Sequence, residues 1–137
     1  MIDLHEFTLL KKRMREKYQS LYSPIHCKCL NQKINLNSHG FHHLLYNGSG
    51  RARSIRETRS RLVLIPLIIP VLRLATESSY EKRTVRKSRK HKDRAIVVEM
   101  WGLEAEVGRI RKSRIKVIIR RENGGEFYFW SIMRIRT

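Results

Sequence analysis

Residues 39 to 61 bring together His39, His42 and His43, then Arg51, Arg53, Arg56, Arg59 and Arg61, with the turn residues Asn47-Gly48-Ser49-Gly50 between the two sets. Imidazole exchanges protons near neutral pH, and the guanidinium fork matches the oxygens of a phosphate. Together they supply what metal-free cleavage of RNA requires. A base takes the 2′-hydroxyl proton, an acid protonates the 5′-leaving oxygen, and cations hold the phosphorane between them. His43 is the first choice for base or acid, and His39, four residues earlier on the same helix face, is its counterpart. Arg51, Arg53 and Arg61 are read as phosphate ligands, with Arg59 in the same basic run. The plain alternative is a capping or half-buried histidine beside a solvated arginine face. His39 and His43 also have the spacing of a zinc pair, but the adjacent glutamate and a third ligand are missing, so no metal and no other cofactor is expected.

Charge points to the partner. Thirty Lys and Arg against twelve Asp and Glu leave a net +18 over 137 residues, a field that repels itself unless a polyanion is near, so RNA or DNA is the expected ligand. Cys27 and Cys29 are too few for a disulfide framework and read as free thiols. The N-terminus lacks the pattern of a signal peptide. The most apolar run, LVLIPLIIPVLRLA, holds two prolines and an arginine and is too short to span a bilayer. A cytoplasmic chain with no membrane partner is the economical expectation.

The elements that must position these residues follow from period and punctuation. Leu4, Phe7, Leu10 and Met14 recur at helical spacing, predicting a helix over residues 2–20. Residues 33–36 read as a short extended piece, and Asn37 or Ser38 caps a short helix through HGFHHLLY. Ser54 with Glu57 forms a capping box for the next helix. Pro66 and Pro70 break the apolar block into a kinked pair of helical pieces. Then the period shifts: residues 80–86 form a strand, 87–94 a basic loop, and RAIVVEMWGLEAEV a long strand that Gly102 bends or bulges. RIKVIIRR and EFYFWSIMRI flank the hairpin turn Glu122-Asn123-Gly124-Gly125. In the first of these, Ile115, Val117 and Ile119 face a core, and Lys116, Ile118 and Arg120 face a ligand. In the last strand both alternating sets are apolar, and alternation does not choose between them. The outcome is an α+β fold in which N-terminal helices pack on a four-stranded antiparallel sheet.

The order GFHHLLYNGSGRARS, apolar block, then RIKVIIRRENGGEFYFWSIMR resembles the phage- and mobile-element-associated branch of the barnase/EndoU/colicin/RelE-like nucleases. The resemblance covers residues 30–137 as the nuclease domain and leaves 1–29 as a helical extension. It implies RNA cleavage without a metal. It also implies that His43, Arg51, Arg61, Arg120 and Ser131 are the matching site residues, with FWSIM as the segment that carries Ser131. Lys116 extends the phosphate surface, while Tyr80, Tyr128 or Trp130 offers a ring on which a base can stack. A toxin reading adds an acidic antitoxin or immunity protein as partner. The competing function is a non-catalytic RNA- or DNA-binding module, since the positive charge extends beyond any compact site.

Overall fold

A computed structural model of the chain describes residues 3–21, 23–47, 49–87 and 94–135. Most of the basic loop expected at 87–94 therefore lies outside the described residues. Helix α1 (Leu4–Ser20) begins where the Asp3 carboxylate accepts from the Glu6 amide at 2.8 Å, satisfying a free donor of the first turn. Strands β1 (Ile25–Cys27) and β2 (Gln32–Asn35) follow. Helix α2 (Ser38–Leu45) is capped by the Asn37 side chain, which accepts from the amides of His39 and Gly40. Helix α3 (Ile55–Leu62) starts at Ser54, whose hydroxyl accepts from the Glu57 amide at 3.1 Å, as the capping box predicts. Pro66 sits in a 3₁₀ turn (Ile65–Leu67), and Pro70 falls within the first turn of α4 (Ile68–Leu74), where a missing N–H costs little.

Four long strands complete the chain: β3 (Ser78–Lys87), β4 (Ala95–Val107), β5 (Ser113–Glu122) and β6 (Phe127–Arg134). The last hairpin turns through Asn123 and Gly124, both at positive φ, and Asn123 ties it to β4 by exchanging hydrogen bonds with the Val97 main chain. One apolar core joins the helices to the sheet. Ile68, Val71 and Leu72 of α4 lie with Leu103, Ile115, Val117 and Ile119, and Phe129 and Ile132 join them with Phe41 and Leu44 of α2. Tyr18 anchors α1 in the same core against Phe41 and Phe129, and its hydroxyl donates to the Asn37 carbonyl at 2.6 Å.

The helices-then-sheet α+β arrangement is present, but the expected four-stranded antiparallel sheet is not. The sheet has six strands in the order β1-β2-β6-β5-β4-β3, and it is mixed, because β2 runs parallel to β6 with Ile34 opposite Phe127. The two added strands are only three and four residues long, too short to carry a period, and a parallel partner far away in the chain leaves no local signal. Gly102 also behaves differently from expectation. Strand β4 runs through it unbroken, and the register shift lies opposite, at Glu81 of β3. A Cβ at Gly102 would collide with the Glu81 carboxylate and the Lys116 side chain, so its absence lets that ion pair cross over β4.

Candidate functional site

Strand β6 contains a bulge that decides what its residues face. Ile118 pairs with Ser131 and Ile119 pairs with Phe129, which leaves Trp130 as an extra residue. The phase of alternation changes there. Phe127, Phe129 and Ile132 consequently all enter the core, while Tyr128 and Ser131 share the opposite face with Arg120 and Ile118. That resolves the ambiguity of the last strand: neither simple alternating set is buried as a whole.

Helix α2 then closes on β6. Strand β2 pairs only with Phe127 and Tyr128, and beyond them α2 lies directly against the β6 backbone. Gly40 permits this approach, since a Cβ there would overlap the Phe129 carbonyl and ring. The contact lays the His43 ring on Trp130, stacked with centroids 4.2 Å apart. The Arg120 guanidinium also sits over the Trp130 ring, 4.3 Å from its centroid. From the segment after α2, Arg53 donates through Nε to the His43 carbonyl at 3.1 Å and brings Nη2 within 3.5 Å of His43 Nε2. From α3, Arg61 donates through Nη1 to the Ser131 hydroxyl at 2.5 Å.

Among the described residues, these cations have few close carboxylates. The Arg53 and Arg120 side chains are only 10% and 11% exposed, and the ion pairs they make, with Glu57 and Glu122, are both 3.5 Å long. The Arg120 Nε is buried with no hydrogen-bond partner. Burial, then the field of Arg53, pushes the Arg61 pKa down, with Glu57 pulling the other way. Taking cations out of water without close anions is costly, and a bound anion would offset that cost.

His43 feels the same field. Burial first, then Arg53 and Arg61 and to a smaller degree Arg120, lowers its pKa to about 4, against a weaker upward pull from the Trp130 main chain. At neutral pH the ring is therefore uncharged. A guanidinium only donates, so Nε2 is the acceptor beside Arg53 and the ring proton sits on the buried Nδ1. A neutral imidazole in this setting can accept a proton.

Of the residues singled out from sequence, His43, Arg53, Arg61, Arg120 and Ser131 are gathered around Trp130. Ser131 is 2% exposed. It accepts from Arg61 from below and so positions that guanidinium rather than lining the surface. His39 lies one turn from His43 and lines an adjoining cleft of about 520 Å³ with Asn37, Arg120, Glu122, Tyr128 and Trp130. Its ring is tilted against Tyr128 at 6.1 Å. The other four candidates lie apart. Arg51 and Arg59 are exposed, and Arg59 lines a shallow groove with Glu6 and Leu9 of α1. Lys116 is ion-paired with Glu81, and Tyr80 packs edge-on against Trp101. Sequence reasoning passed over Glu122, absorbed there into a turn motif; its i+2 spacing from Arg120 was the available signal that both share a strand face.

Among the described residues, no three His, Cys, Asp or Glu side chains gather as a metal-binding group, and no helix is long and apolar enough to cross a membrane. Compared with family models, with curated proteins and with solved structures, the chain matches none of them.

Proposed function

We propose that the protein is a metal-independent endoribonuclease that cuts single-stranded RNA by 2′-hydroxyl attack, in the manner of the barnase/EndoU/colicin/RelE-like nucleases its sequence resembles. The observation that carries this reading is the group of three largely buried guanidiniums, Arg53, Arg61 and Arg120, set around an uncharged His43 with few close carboxylates among the described residues. The scissile phosphate supplies the close counter-charge. Its arrival draws the Arg53 guanidinium off His43 Nε2 and weakens the field that held the imidazole's proton affinity down. Nε2 then removes the 2′-hydroxyl proton as O2′ attacks phosphorus. The P–O5′ bond breaks, and O5′ leaves with a proton from His39 on the cleft side. The products are a 2′,3′-cyclic phosphate and a 5′-hydroxyl. An unstacked base rests on Tyr128 in the cleft, which requires a single strand.

If the enzyme acts as a toxin, an acidic antitoxin or immunity protein covering the same arginines is its partner, and the cytoplasm is where it acts. The direct test is incubation with mixed single-stranded RNA in EDTA. Fragments with cyclic phosphate ends support the reading, and RNA left intact across several substrates and pH values overturns it. A second reading, an RNA-binding module without chemistry, is favoured by one feature: Arg53 occupies the approach to His43 Nε2. Tight, salt-dependent binding of RNA that is never cut would establish it.

A further inference from the structure

Helix α2 presents a second pair of residues one turn apart. His39 and His43 face β6, whereas His42 and Tyr46 line a groove of about 600 Å³ against α1, a volume in the range of small-ligand pockets. Tyr18, Phe41 and Leu45 contribute to its wall, and the Arg15 guanidinium from α1 lies 5.2 Å over the Phe41 ring. The His42 and Tyr46 rings stack on each other, centroids 4.5 Å apart and 24° from parallel, and both side chains are exposed. The core does not use this stack: Tyr46 is held through its main chain, which bridges to Ala52 and donates to the His42 carbonyl. Lys12, one turn before Arg15 on the same side of α1, is exposed. Asn37 lines both this groove and the cleft that holds His39, Arg120 and Trp130, so the two depressions meet at one residue.

We infer that the groove between α1 and α2 is a second nucleobase subsite, which takes the base of a nucleotide flanking the phosphate bound by Arg53 and Arg61. The inference rests on the RNA reading of the first site and extends it along the strand. The base stacks on the Tyr46–His42 pair, and Arg15, with Lys12 a turn away, meets the adjoining phosphates. Exposed rings beside guanidiniums form a platform that accepts any base, because every base offers a π face. A duplex, whose bases are already stacked, cannot use it.

The test is fluorescence anisotropy with a short single-stranded 2′-O-methyl oligonucleotide, which resists 2′-hydroxyl attack, and with the same strand in a duplex. Tyr46→Ala should weaken single-strand binding about tenfold and leave duplex binding unchanged. Tyr46→Phe, which keeps the ring, should bind as wild type does, with circular dichroism confirming that each variant is folded. Single-strand affinity that falls in Arg61→Ala but stays at the wild-type level in Tyr46→Ala overturns the subsite alone. A wild-type protein that does not bind the single strand overturns the RNA reading on which the subsite rests.

Discussion

Two regions of the sheet treat arginine and lysine in opposite ways. Across β3, β4 and β5, cations meet glutamates closely: Arg121 reaches Glu99 at 2.8 Å, Arg114 reaches Glu104 at 3.1 Å, and Lys116 pairs with Glu81. Hydrogen bonds from Arg121 and Lys116 hold the Glu99 and Glu81 pKa values below the ordinary carboxylate range. Around Trp130, by contrast, Arg53 and Arg120 are more deeply buried than Arg121 or Arg114, yet the ion pairs they make with described residues are both 3.5 Å long. Among the described residues, carboxylates thus meet cations tightly where they join β3, β4 and β5 and loosely around Trp130. On the proposed reading, the contrast separates structural charge from charge held ready for a ligand.

The largest effects should come from breaking the loosely paired region. His43→Ala is expected to reduce single-turnover RNA cleavage by about 100-fold or more while leaving the RNA dissociation constant nearly unchanged. Arg61→Ala should lower the rate by a similar factor and also weaken binding by roughly tenfold. Equal losses of affinity in both variants would show that the two residues do not divide proton transfer from phosphate binding. Salt then sharpens the contrast. The slope of log affinity against log salt concentration should become shallower by about one for each of Arg53, Arg61 or Arg120 replaced by alanine, and should not change for Arg121→Ala. A slope change in Arg121→Ala as large as in Arg61→Ala would remove the distinction between the two regions.

Acid separates them further. His43 titrates at about 4 in the folded protein and at about 6.5 when unfolded. As the pH falls from about 6.5 to 4, the unfolded chain takes up a proton that the folded chain refuses, and stability drops. The drop is on the order of 1–2 kcal/mol once solvent screening is allowed for, and urea denaturation of His43→Gln should show it removed. Glu81 and Glu99 act at lower pH. Their depressed values mean that their contribution is present above the unfolded carboxylate pKa and is lost as pH falls through the folded one. A drop between pH 6.5 and 4 that survives in His43→Gln would place its origin elsewhere. Smallest of all, Arg114→Ala should cost about 0–1 kcal/mol in urea denaturation, because the pair with Glu104 is partly exposed.

Much of this arrangement was legible in the sequence. A cap at Asn37, one of the two residues the sequence offered, the Ser54 hydroxyl cap on Glu57, the Asn123-Gly124 turn and the core face of Ile115, Val117 and Ile119 all rest on local chemistry, and all are present. Of the residues chosen for their types, five, His43, Arg53, Arg61, Arg120 and Ser131, are gathered around Trp130. Three features left no readable trace. The bulge at Trp130 depends on register between two strands, so alternation could not assign Ser131 or Ile132 to a face. The parallel β2–β6 pair depends on residues far apart in the chain. The state of His43 depends on burial and on three arginines from separate elements, which spacing alone does not reveal. Tyr80 and Lys116 lie apart for a related reason: ring and charge suggested a ligand, whereas Trp101 and Glu81 already engage them.

The central claim is that burial, together with the arginines around Trp130, holds His43 uncharged until an RNA phosphate joins them. Titration of the His43 ring by nuclear magnetic resonance tests it directly, first in the free protein and then with a single-stranded 2′-O-methyl oligonucleotide bound. The account predicts a pKa of about 4 in the free protein and a clear rise on binding, because the phosphate opposes the guanidinium field. An ordinary histidine value in the free protein, or a value that stays unchanged when the oligonucleotide is bound, would contradict it.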